Sequence, residues 1–229
     1  MQAVLAAIEA ENRRNRIDSL FPDEGELRRD LYVKHVQFFN AGAEHQERAF
    51  MAANRVGKTI VGAYETAVHL TGEYPHWWQG RRFDGPVDAW AASNTSETTR
   101  DIVQLELLGP PSEFGTGMIR ASRLGRIAPR RGVTDAVDTV EVRHVSGGMS
   151  SVGFKSYDQG REKFQGTKKH LIWLDEEPEA AVYDECMVRL MTLNGLMLAT
   201  FTPLKGLSEV ALRFMPHLAP APEPATSDY

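Results

Sequence analysis

The sequence predicts an α/β fold built on a mainly parallel sheet, and three observations point to it. Short apolar runs of strand length recur along the chain: A-F-M-A-A at 49–53, P-V-D-A-W-A-A-S at 86–93, H-L-I-W-L at 170–174 and G-L-M-L-A-T-F at 195–201. Helix-like stretches at 58–70 and 95–108 follow the first two runs, and alternation of this kind is the signature of strands laid side by side in parallel. The chemically active residue types, G-K-T after the first run and D-E after the third, stand at or just past the ends of strands, where open α/β sheets gather their ligands.

Taken in order, residues 1–35 read as helical, with Val4, Leu5 and Ile8 on one face among Glu9, Glu11, Arg13 and Arg14. The stretch Phe21-Pro22-Asp23-Glu24-Gly25 breaks that pattern, and a second helix is expected from Glu26 to about Phe39. After the first strand and its helix come the strand 86–93 and the helix 95–108. The middle of the chain, 116–155, is rich in Val, Thr, Ser and Gly and alternates in D-T-V-E-V-R-H-V, as strands of a β-ribbon do. Cys186, with Met187, Leu190 and Met191, falls on a helical stretch and reads as core, as do Trp77, Trp78 and Trp90. The tail A-P-A-P-E-P-A-T-S-D-Y has the composition of a linker, so the sequence is expected to be one domain of a longer protein.

Composition narrows the function. The 229 residues are 42% hydrophobic and 25% charged, as in an ordinary globular protein. One cysteine excludes a disulfide within the chain and suits a reducing, intracellular setting. No apolar run approaches the ~18 residues of a membrane span, and the N-terminus lacks the form of a signal peptide. A net charge of -5 argues against a protein that coats nucleic acid, so any such contact must be local. The seven histidines show no metal-ligand spacing.

The informative segment is Ala52-Ala53-Asn54-Arg55-Val56-Gly57-Lys58-Thr59, which has the form G-x-x-x-x-G-K-[ST] with Ala52 replacing the first glycine. A strand, a loop of inward-facing N–H groups and a helix N-terminus together make a phosphate cradle. Residues 53–57 would line it, Lys58 would neutralise the β/γ oxygens of ATP, and the Thr59 hydroxyl would hold Mg²⁺. The second segment, H-L-I-W-L-D-E-E-P at 170–178, delivers two acids to a strand end. Asp175 is expected at the metal and Glu176 beside the attacking water. The pair defines a P-loop Mg-ATPase with a catalytic glutamate next to the metal aspartate, the ASCE-type αβα sandwich with an N-terminal helical lead-in.

These residues resemble a known family. The run Q-F-F-N-A-G-A-E-H-Q-E-R-A-F-M-A-A-N-R-V-G-K-T (37–59) is similar to the start of the ATPase of bacteriophage terminase large subunits, the motors that pump DNA into procapsids. S-Y-D-Q-G-R-E-K-F-Q-G-T-K-K-H-L-I-W-L-D-E-E-P (156–178) resembles the approach to their acidic motif, and L-M-L-A-T-F-T-P (196–203) their coupling motif. Absence of the first loop glycine is itself a habit of that family.

The resemblance implies roles. Arg55 would reach the γ-phosphate, and Gln37 would read adenine, with Phe38 or Phe39 packing on the ring. Thr200 and Thr202 would sense hydrolysis and relay it. Many relatives carry an arginine eleven residues before the catalytic glutamate, where this chain has Gln165, so the arginine supplied to a neighbouring subunit is not matched directly. Arg161 is the leading candidate; the cluster Arg120, Arg123, Arg126, Arg130 and Arg131 is the alternative, either as a finger, as a DNA-phosphate contact or as a solvated face. The expected organisation is a lead-in at 1–36, an ATPase domain at 37–215 and a Pro-rich linker at 216–229 toward a nuclease domain, so this chain should not cut DNA. Implied partners are double-stranded DNA, the portal protein, the small terminase subunit and further copies of the chain in a pentameric ring. An isolated domain would be a monomer that binds DNA poorly. The implied place is the host cytoplasm during phage assembly, with no membrane. Open alternatives are a helicase-like ATPase and a nucleotide-dependent assembly module with negligible turnover.

Overall fold

The computed structural model describes residue 11 and residues 13–218; Val4, Leu5, Ile8 and the tail from 219 lie outside it. Seven strands form one sheet: β1 (Glu47–Met51), β2 (Asp88–Ser93), β3 (Leu124–Pro129), β4 (Val137–Arg143), β5 (Met149–Ser156), β6 (Leu171–Asp175) and β7 (Leu196–Phe201). Their spatial order is β1-β7-β6-β2-β5-β4-β3. The pairs β1·β7, β7·β6, β6·β2 and β2·β5 are parallel, while β4 runs antiparallel to both β5 and β3. The expected mainly parallel sheet is therefore present, and the Val/Thr/Ser/Gly-rich middle forms an antiparallel ribbon continuing one side of it.

The helices are α1 (Val33–Ala41), α2 (Lys58–Thr71), α3, α4 (Ala180–Met191) and α5 (Glu209–Phe214). Helix α3 begins at Ser96–Thr98, passes through a π-helical Thr99–Gln104 and ends at Leu105–Leu108; the Thr95 hydroxyl caps its start by accepting from the Thr98 N–H. Strand alternation sorts the core into two layers. Ala89, Ala91, Leu171, Trp173, Leu196 and Leu198 face α2 and α3. Their neighbours Trp90, Ala92, Ile172, Leu174, Met197 and Ala199 face α4 and α5, with Cys186 among them. Each large apolar side chain buried this way contributes about 1.5–3 kcal/mol relative to exposure.

Two local features differ from the sequence reading. The helix expected over 26–39 begins only at Val33, preceded by a 3₁₀ turn at Arg29–Tyr32 and by left-handed backbone at Phe21 and Gly25. It runs through the 36/37 boundary, and Ile17 and Phe21 of the lead-in are buried in the main core. Strand β1 starts at Glu47 rather than Ala49 because Arg48 is buried: its guanidinium donates to Glu65 of α2 at 2.6 Å and to the Phe38 carbonyl at 2.6 Å. Glu65 in turn accepts from His69 at 3.3 Å. Breaking such a buried pair costs about 3–5 kcal/mol, so this network fastens α2 to β1.

Candidate nucleotide site

Parallel pairing puts the carboxyl ends of β1, β6 and β7 on one edge of the sheet, side by side. The loop 52–57 leaves β1, and Gly57, at φ 84°, opens α2 in a left-handed conformation that suits glycine. A Cβ there would stand 3.1 Å from His35 Nε2. Arg55, at φ 65°, takes the same unusual region. Residues 53–56 are exposed, whereas Lys58 is buried and its ammonium donates to the Ala53 carbonyl at 2.9 Å. The Lys58 and Thr59 N–H groups stand at the first turn of α2, where backbone donors lack helical partners.

Opposite the loop lies the acidic turn. Asp175 is 2% exposed. Its Oδ1 accepts from the Thr200 hydroxyl at 2.7 Å and its Oδ2 from the Thr59 hydroxyl at 3.4 Å. Burial pushes the Asp175 carboxyl up to about 7, with the Thr200 hydrogen bond opposing the rise and the charge of Glu176 adding to it. Trp173 donates its indole N–H to Thr200 at 2.8 Å, which fixes that hydroxyl toward Asp175. Gly62 on α2 makes room for the same indole, since a Cβ would sit 2.1 Å from its Nε1. Thr202, just past β7, donates to the Ala52 carbonyl at 2.9 Å and stands 3.0 Å from Asn54 Oδ1. The end of β7 thus touches both the loop and the acid. Glu176, at φ 69°, is half-buried, and its side chain has no hydrogen-bond partner among the described residues.

Loop, Thr59, Asp175, Glu176, Thr200 and Thr202 therefore converge; other expected residues do not. Gln37 is exposed on α1 and does not border the cavity beside the loop. Phe38 and Phe39 are buried: Phe39 packs against Phe21, Tyr64 and Trp78, and Phe38 lies under Arg48. Neither ring is free to receive a base. The cavity beside the loop, about 400 Å³, is instead faced by Tyr32, His35, Arg55, Val56 and Ile60. Arg161, in the 3₁₀ turn Arg161–Phe164, is exposed and pairs with Glu185 at 3.6 Å, not with Asp158 or Glu162. The arginines of 120–131 flank β3, at the opposite side of the sheet from β1. Arg120 pairs with Asp18, Arg123 pairs with Glu73 at 2.7 Å, and Arg130 reaches the Phe154 carbonyl at 3.4 Å.

Three residues with no sequence signal belong to the site's surroundings. His35 donates from Nε2 to the Val56 carbonyl at 3.2 Å. Tyr157 directs its hydroxyl at the Asp175 and Glu176 carbonyls. Glu177 is buried and accepts from Ser208, the N-cap of α5.

Comparison with known proteins decides the family. Residues 49–225 match the family described as "Terminase large subunit, T4likevirus-type, N-terminal". The chain belongs to this family. The large terminase subunit of Salmonella phage P22 is 36% identical over 204 residues, covering 80% of this chain and 41% of the phage protein. The chain thus spans about two fifths of the length of that relative. Two structures of the large terminase from a thermophilic bacteriophage, one in complex with ADP, share the fold at TM-score 0.52 and 13% identity. Each is matched over 74% of this chain and 37% of that one. The expected terminase resemblance and α/β fold are both upheld. No helix among the described residues is long and apolar enough to cross a membrane.

Proposed function

We propose that this chain is the ATPase part of a terminase motor, hydrolysing ATP with Mg²⁺ to drive double-stranded DNA into a procapsid. The observation that carries the reading is the facing of Thr59, at the helix N-terminus that follows the loop, and Asp175, at 3.4 Å. In this reading the loop N–H groups and Lys58 hold the phosphates, with phosphate oxygens replacing the Ala53 carbonyl as the partner of Lys58. The cavity between α1 and the loop offers a mostly apolar seat for the base, with Phe21, Tyr32 and His35 as its rings.

The residues fit the metal. Among the described residues no cluster of three or more His, Cys, Asp or Glu could hold an ion alone. Mg²⁺, however, is commonly held by one or two protein oxygens with waters and substrate phosphates completing the shell. Thr59 and Asp175 are such a pair, and a dry carboxylate with a raised pKa is one that a cation would favour in its ionised form. When bound, the ion supplies neutralisation of charge on the β/γ oxygens. Glu176 orients the attacking water, and Arg55 reaches the γ-phosphate from the loop. Thr200 and Thr202 link the acid and the loop to β7. Arg161, exposed at the surface, is proposed to serve a neighbouring copy in a ring. The portal protein and small terminase subunit complete the partners, and the host cytoplasm is the setting.

The test is ATP turnover by wild type and Glu176→Ala, with and without duplex DNA, beside nucleotide binding. The reading expects DNA-stimulated turnover in wild type and a variant that binds Mg-ATP but does not turn it over. Binding without turnover in wild type under every condition would favour the assembly-module alternative. Loss of binding in Glu176→Ala would show that Glu176 is structural.

A further inference from the structure

We infer that Tyr157 is a positioning residue for Glu176, setting the direction of its carboxylate through the backbone of the acidic turn. The inference rests on the ATPase reading and deepens it.

Tyr157 follows β5 directly, and its ring is packed in the core layer beneath α4 beside Phe164. Its hydroxyl lies 3.0 Å from the Glu176 carbonyl oxygen, 3.1 Å from that of Asp175 and 3.4 Å from that of Ala92. In an extended strand, consecutive carbonyls point to opposite sides. Here two consecutive carbonyls converge on one hydroxyl because Glu176 turns through φ 69°. All three groups that the hydroxyl faces are carbonyl acceptors, so the phenolic O–H stands toward them as the donor.

The backbone of Glu176 is consequently gripped on both sides. Its N–H donates to the Thr200 carbonyl at 2.9 Å, and its carbonyl faces Tyr157. A non-glycine residue persists in this region only where its surroundings over-determine it. With N–H and carbonyl fixed, the Cα–Cβ direction is fixed, and the half-buried Glu176 side chain has no hydrogen-bond partner among the described residues to guide it further. Tyr157 itself is held in place by its chain neighbours: the Asp158 N–H donates to the Asn94 carbonyl at 3.1 Å, and Gln159 reaches Ser96 at 3.4 Å. The hydroxyl is therefore delivered from the ends of β2 and β5, elements independent of the loop that holds phosphate.

Tyr157→Phe removes one oxygen and keeps the ring, so packing survives. On the 229-residue chain, affinity for Mg-ATP should stay within about twofold, while single-turnover hydrolysis falls about 10- to 100-fold, the scale of a misplaced catalytic group. Amide exchange of the peptide containing Glu176 should speed up, reporting the released turn without any turnover. In a Glu176→Gln background the second substitution should cost nothing further, because the group it positions is already disabled. Unchanged single-turnover hydrolysis in Tyr157→Phe overturns the inference. So does an equal loss of affinity and rate, or a further loss in the Glu176→Gln background. Wild type that neither binds nor hydrolyses ATP overturns the ATPase reading instead, a result distinguishable from all of these.

Discussion

The loop at 52–57 and the turn at 175–177 use the same backbone device in opposite surroundings. Each bends at a non-glycine residue with positive φ, 65° at Arg55 and 69° at Glu176. The loop is exposed from Ala53 to Val56, and it is tied down from outside by His35, Lys58 and Thr202. The turn is packed: Asp175 is buried and held by Thr200 and Thr59, while Tyr157 and Thr200 hold the main chain. On the proposed reading, the difference follows from what each would meet. Phosphate oxygens can reach backbone N–H groups only if those groups are left open. A carboxylate that acts on a metal or a water gains from a dry setting, where its field is stronger. Changes in the loop should therefore register in binding with little effect on stability, and changes in the turn should register in both.

The largest effect is expected at Lys58. Lys58→Ala removes the ammonium that reaches the loop at the Ala53 carbonyl, so affinity for ATP should fall by about 100-fold or more, the scale of a lost charge-assisted contact of about 3 kcal/mol. The melting temperature should move little, since the ammonium is satisfied by one backbone carbonyl, at 2.9 Å. Nucleotide titration followed by fluorescence, beside a thermal melt, checks both halves. Retained affinity would break the comparison on the loop side.

How far each region could be read from sequence follows the same division. The loop-to-helix junction at Gly57, Lys58 and Thr59 was legible in a spacing that phosphate-binding loops share, and Asp175 at a strand end because an apolar strand running into an acid is a strong local pattern. Strand positions were legible to within two residues where the runs were apolar. Arg48 hid the start of β1, since a charged residue reads as exposed until its partner Glu65, on another element, is known. Gln37 is exposed and the phenylalanines after it are buried, whereas His35 of α1 and Tyr32 just before it line the cavity beside the loop. His35 and Tyr157 were illegible because they meet the loop and the turn only across the fold, His35 at a carbonyl 21 residues on and Tyr157 at carbonyls 18 and 19 residues on. No local pattern encodes such a contact.

A smaller effect, and of opposite sign for stability, is expected at Asp175. Its carboxyl titrates near 7 in the fold, against about 3.9 when unfolded. The folded chain therefore takes up the proton first, and this contribution to stability is present at low pH and lost as pH rises from about 4 to 7. Asp175→Asn removes the penalty of the buried charge while its amide can still meet both Thr200 and Thr59. The variant should exceed wild type by about 1–3 kcal/mol at pH 8, an order-of-magnitude figure below the ceiling set by the shift, and by little at pH 4. Its Mg²⁺-dependent gain in ATP affinity should shrink about tenfold. Urea melts at the two pH values decide the first point; a pH-independent difference would mean that the carboxyl is not held up by burial.

The smallest effect is expected at His35, where the loop's exposure leaves it dependent on a neighbour. A trans peptide directs its carbonyl and its N–H to opposite sides. With the Val56 carbonyl held by His35, the N–H of Gly57 in the same peptide is turned away from His35. Neutral imidazole already supplies the donor, and burial holds the His35 ring below its ordinary range, so no charge is needed for this work. His35→Leu keeps an apolar side chain against Phe50 and Tyr32 but has no donor; His35→Gln restores an N–H at similar reach. ATP affinity should fall about 5- to 10-fold in the leucine variant, the value of one neutral hydrogen bond near 1 kcal/mol, and recover in the glutamine variant. Between pH 7.5 and 8.5 wild type and the glutamine variant should show the same affinity ratio, because a ring held below its ordinary range is neutral there. Equal loss in both variants would make His35 a packing residue and leave the loop to hold its own shape. A ratio that changes across that pH range would mean that the ring carries charge while it supports the loop.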